Sequence, residues 1–120
     1  MEIDQLNDLK ANLLEGMREY MEDVVADGDD PGYSEDDIAK CESILTGFLQ
    51  KATSVGVCDK EAVMNAVKET VLALNELNEN CDHGLIETDQ REQICELIIQ
   101  AAAGAGVGTG DDITEEWREW

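Results

Sequence analysis

Apolar residues recur along this chain at every third or fourth position, in four separate runs. In the first, Ile3, Leu6, Leu9, Leu13, Met17, Met21 and Val24 share one face of a helix predicted from about Ile3 to Val25. Gly16 lies inside it, where glycine is about 1 kcal/mol less favourable than alanine. That points to a close approach by a neighbouring helix. A second stripe, Ile38, Cys41, Leu45, Phe48 and Ala52, follows Ser34, a residue type that caps helix N-termini. Glu35, Asp36 and Asp37 then fill the first turn, where negative charge meets the positive end of the helix dipole. Gly56 and Val57 read as its C-terminal stop.

Asp59 is placed to cap a third helix, whose buried line is Val63, Val67, Thr70, Leu74, Leu77 and Cys81, with His83 and Gly84 at its end. A fourth starts near Thr88 or Asp89, with Asp89 and Glu92 spaced as a variant capping box. Ile94, Leu97, Ile98, Ala101 and Ala102 carry its apolar face, and the glycines from Gly104 to Gly110 break it. Four long amphipathic helices with short connections predict an all-α fold, an antiparallel four-helix bundle. A single domain then spans 1–120, with a glycine-rich linker at 103–112 and a C-terminal segment at 113–120. In that segment Ile113, Trp117 and Trp120 share one face of a short helical appendage expected to dock on the bundle. An exposed partner-binding hook is the alternative, since tryptophan anchors many interfaces. One weak internal echo links the second and fourth helices: CES at Cys41 and CEL at Cys95 each lie seven positions after a Ser or Thr.

Composition agrees with the helical reading. One proline and 4% aromatic residues leave a core of Leu, Ile, Val, Ala and Met, and argue against a β protein. Charge changes the picture more. Twenty-nine acids against eight bases give a net charge of -21, which disfavours nucleic acid and anionic membranes as partners. It favours cations or a protein with a basic surface. The N-terminal MEIDQLNDLK has no basic and apolar signal pattern, and no apolar run approaches a bilayer span, so a cytoplasmic protein is expected. Cys41, Cys58, Cys81 and Cys95 form no C-x-x-C pair, and reduced thiols are expected.

Three stretches carry residue types with candidate chemistry. DGDDPGYSEDD, Asp27 to Asp37, holds six acids in eleven positions. Aligned to a calcium-binding EF-hand loop from Asp27, it places Pro31 and Ile38 where oxygen ligands are required. It reads instead as a solvated helix connection in which Asp27, Asp29 and Asp30 have no structural duty. In NENCDHGLIETDQRE, Cys81 and His83 supply two of the four ligands that zinc takes, with Cys58, Cys95 or acids left to complete the set. The spacing is unpatterned, and Cys41 and Cys81 read as small core residues. Glu87, Asp89 and Arg91 offer functional groups beside His83, but no nucleophile, base and orienting residue assemble from spacing. Arg91 reads as a partner for Glu87 or another acidic helix. In GAGVGTG a G-x-G-x-x-G register from Gly104 ends on Thr109, and no strand precedes it, so a linker is expected.

The block LNELNENCDHGLIETDQREQICELI together with the terminal DITEEWREW resembles a group of small, acidic, cytoplasmic bacterial proteins of unknown function. In those a variable glycine-containing spacer joins the same two blocks. The resemblance covers roughly residues 70 to 120 and implies no catalytic or binding residues.

The leading expectation is a non-enzymatic, protein-binding module for a basic partner, of the inhibitor or immunity type, with no cofactor. Its candidate contacts are Asp27, Asp29, Asp30, Asp36, Asp37, Trp117 and Trp120. The second is a small metal-binding protein or enzyme built on Cys58, Cys81, His83, Glu87, Asp89 and Arg91. The third is a self-associating helical module, a homodimer paired through the near-heptad spacing of the first helix.

Overall fold

The computed structural model describes residues 3–30, 32–54, 60–81, 84–104, 114–115 and 117–120. Among the described residues there are four helices: α1 (Ile3–Ala26), α2 (Glu35–Ser54), α3 (Lys60–Asn80) and α4 (Thr88–Gly104). They form an antiparallel bundle in which α2 packs most extensively on α3 and α1 on α4. The Gly56–Val57 stop, the Asp59 cap, Cys58, His83, Pro31 and Ile113 lie outside the described residues.

The core follows the predicted stripes. Every residue of the α2 and α4 stripes is buried, as is the whole α3 line ending at Cys81. On α1, Leu6, Leu13 and Met17 are buried, while Leu9 and Met21 pack partly against the core. The buried face is wider than a two-per-heptad stripe. Leu14, Leu49, Ala66 and Val71 are inside as well, as expected where each helix meets two neighbours.

The helix ends show how the acidic connection is held. At the end of α1, Asp29 N–H donates to Val24 O and Gly28 N–H to Val25 O, both at 3.0 Å. These two bonds form a Schellman motif, which needs a left-handed residue, and Gly28 has φ +87°. Asp30 Oδ1 then accepts Gly32 N–H at 2.9 Å, a side-chain-closed turn. Ser34 caps α2 by receiving Ile38 N–H on its carbonyl, while its own N–H donates to Asp37 Oδ2 at 2.9 Å. α4 starts at Thr88, as expected, but its cap differs from the Asp89–Glu92 box. Arg91 N–H donates to Glu87 O at 2.8 Å, so Glu87 holds the cap position and Asp89 lies inside the first turn. Cys41 and Cys95 therefore sit one step apart relative to their caps, and the sequence echo does not extend to equivalent positions. At its other end α4 continues through Ala103 and Gly104, the first two residues of the predicted linker.

Two glycines give opposite expectations. A Cβ added at Gly47, inside α2, meets nothing within 4 Å. Gly47→Ala should therefore stabilise the fold by about 1 kcal/mol through helix propensity. Gly28→Ala should destabilise it by about 1 kcal/mol or more, because a side chain strains the left-handed conformation. Urea midpoints moving in opposite directions are the check. At Gly16 an added Cβ would stand 3.4 Å from Gln90 Nε2. α4 does approach α1 there, at an ordinary contact distance that does not itself require glycine.

Candidate functional site

The α1–α2 and α3–α4 connections lie at the same end of the bundle. A Cβ on Gly32 would stand 3.4 Å from Cys81 O, and residues 16–23 of α1 share a cleft with residues 87–93 of α4. Tyr33 fixes the first connection. Its ring is buried, and its hydroxyl donates to Met17 O at 2.7 Å. Burial chiefly, with the nearby acidic groups Tyr20, Glu87 and Cys81, pushes its phenol up to about 12. One signal for this anchor is legible beforehand: an aromatic residue inside a polar loop of a chain with few aromatics.

Asn78 fixes the second connection. Its buried amide oxygen accepts Leu85 N–H at 3.1 Å and Ile86 N–H at 2.9 Å, which seats both residues in the core. One turn earlier, Asn75 holds the C-terminal segment: its Nδ2 donates to Trp117 O at 2.7 Å and its Oδ1 accepts Glu119 N–H at 3.0 Å. The two asparagines of LNELN are therefore paired backbone clamps, which hydropathy does not reveal.

Between these anchored connections lies an acidic surface. Exposed carboxylates come from α1 (Glu19, Glu22, Asp23), from the connection (Asp27, Asp29, Asp30), and from the first turns of α2 and α4 (Glu35, Asp36, Glu87, Asp89). Two clefts flank the end of α1. One, of about 570 Å³, lies against α4 and includes Tyr20, Asp23, Glu87 and Asp89; the other, of about 490 Å³, lies against α2 and includes Met21, Val25, Tyr33 and Glu35. Among the described residues neither has a basic residue in its lining. Of the nearby bases, Arg18 is engaged by Glu35 at the edge of the second cleft, and the others line different faces. Arg18 bonds Glu35 at 2.9 Å and Glu15 at 3.3 Å, Lys40 lines an α2–α3 groove, and Arg91 lines a cleft beside Cys95 and Arg118.

The sequence candidates separate accordingly. Asp27, Asp29 and Asp36 are exposed at this end, together with Glu87 and Asp89. Asp30 and Asp37 have structural duties, in the turn and the α2 cap, which corrects the reading of Asp30 as free of one. Arg91 is on another side of α4, and no ion pair among the described residues involves it, contrary to its expected pairing with Glu87. Cys81 is a core thiol, as is Cys41, and no group of three or more metal-ligating side chains occurs among the described residues. Trp117 and Trp120 pack partly buried against the core; Trp117 lies in a turn closed by Arg118 N–H donating to Thr114 O, and Trp120 follows it. Arg118 lies 5.6 Å from the Trp120 ring centroid and donates to Cys95 Sγ at 3.0 Å. Among the described residues no helix is long and apolar enough to cross a membrane. No protein-family model, curated protein or solved structure matches the chain.

Proposed function

We propose that this protein is a non-enzymatic binding module that receives a basic protein partner on the acidic end of the bundle. The observation that carries the reading is where the charge sits relative to the helix dipoles. Acids at the starts of α2 and α4 stabilise those helices. Those at the end of α1 do the reverse: Glu22, Asp23, Asp27 and Asp29 crowd the negative end of a helix whose last turn has no base. No fold requirement accounts for them, and a cationic partner would relieve the repulsion. Steering by such a field speeds association and makes it sensitive to salt. An inhibitor of a basic enzyme is one form that such a module takes.

The test is a double charge reversal, Asp23→Lys with Asp27→Lys. Both side chains are exposed, and each change should raise stability by about 0.3–1 kcal/mol by reversing the dipole conflict. The same variant should lose a basic protein that the wild type retains from native extract at low salt and releases as salt is raised. If the two forms retain the same proteins, or the wild type retains none, the reading fails.

A further inference from the structure

We infer that the segment of the partner docking here presents an apolar side chain flanked by lysines or arginines, and that this side chain seats in the α1–α2 groove. The inference rests on the reading above and specifies its partner. The groove floor is Met21, Val25 and Ala26 from α1 with the ring of Tyr33. Val25 is 58% exposed, a large hydrophobic left open to solvent in the last turn of α1. An apolar patch rimmed by polar groups marks an interaction site.

The rim selects the occupant. Glu22 borders the groove directly and Glu35 lies across from it. Glu35 already shares its charge with Arg18, so Glu22, with Asp29 and Asp36 nearby in the chain, remains to meet a cation. An acidic or neutral apolar segment gains nothing from that rim, and a second copy of a chain with net charge -21 is repelled by it. A basic amphipathic segment satisfies both floor and rim. The groove is also pre-formed. The Schellman bonds at Gly28, the Asp30 turn, the Tyr33 hydroxyl and the Ser34–Asp37 cap each fix its backbone, so little ordering opposes binding.

Two short fluorescein-labelled peptides of equal positive charge test this by anisotropy against the full chain at low salt. One is lysine and glycine alone; the other carries leucine in place of its central glycine. The leucine should tighten binding about tenfold, in line with burial of one such side chain. Val25→Ser should abolish that gain and leave affinity for the lysine–glycine peptide within about twofold, since an exposed substitution does not disturb the fold. No gain from leucine on the wild type, or a gain that persists in Val25→Ser, overturns the groove and leaves the charge reading standing. Failure of both peptides to bind the wild type removes the charge reading as well.

Discussion

Asn78→Ala should lower the melting temperature by about 8–12 °C, a loss of about 2–3 kcal/mol for a chain of this size. The side chain is 3% exposed, and its single oxygen accepts two backbone N–H groups, those of Leu85 and Ile86. Alanine removes the acceptor and leaves both donors in a region that solvent does not reach. Leu85 and Ile86 are themselves core residues, so the change strikes the α3–α4 connection and the core together. Asn80→Ala, at an exposed position two residues on, should stay within about 0.5 kcal/mol of wild type. Asn75→Ala separates the two clamps. Asn75 holds only the C-terminal segment, and the chain's two tryptophans, Trp117 and Trp120, both lie there. Its emission should move to the red below the main thermal transition, whereas Asn78→Ala should lose fluorescence and helicity in one step. Wild-type melting by Asn78→Ala would show that the amide clamp does not hold the connection.

Much of this architecture is legible in the sequence because it depends on local periodicity. The line Ile38, Cys41, Leu45, Phe48 and Ala52 is a helix face whatever surrounds it, and all five residues are buried. Burial of polar residues is not local in this sense. Asn75 and Asn78 are inside because backbone partners 7 to 44 positions away satisfy them, and hydropathy carries no record of such pairings. The same limit applies to the acidic end. Its charge is plain from composition, but the division among its acids needs coordinates. Asp30 and Asp37 are engaged in a turn and a cap, whereas Asp27 and Asp29 follow a helix end that their charge destabilises. Tyr33 shows the limit most clearly: it sits among acids in the sequence and in the core in the fold.

Stability should fall steeply between about pH 9 and 12, and two buried groups should account for much of the slope. Cys41 is fully buried, and chiefly for that reason its thiol is pushed from 9.0 up to about 12; Cys81 and Glu42 add to the shift. Tyr33 rises from 10.0 to about 12, again mainly through burial. Both groups are raised in the folded state, so their contribution is complete below the unfolded values, near pH 9 and pH 10. Above those values the unfolded chain releases protons that the folded chain retains, and stability declines until the folded values are reached. For Cys41 alone the loss is on the order of 4 kcal/mol, comparable to a large share of the stability of a small domain. Urea unfolding in reducing buffer at pH 8, 10 and 11.5 measures it. Cys41→Ala should lower stability at pH 8 through lost packing yet flatten the decline above pH 9. Tyr33→Phe should lose the bond to Met17 O and flatten the part above pH 10. Deprotonation of surface lysines and growing self-repulsion act on wild type and variants alike, so the difference in slope isolates the two buried protons. Parallel slopes in all three proteins would place the alkaline transition on the surface charge instead.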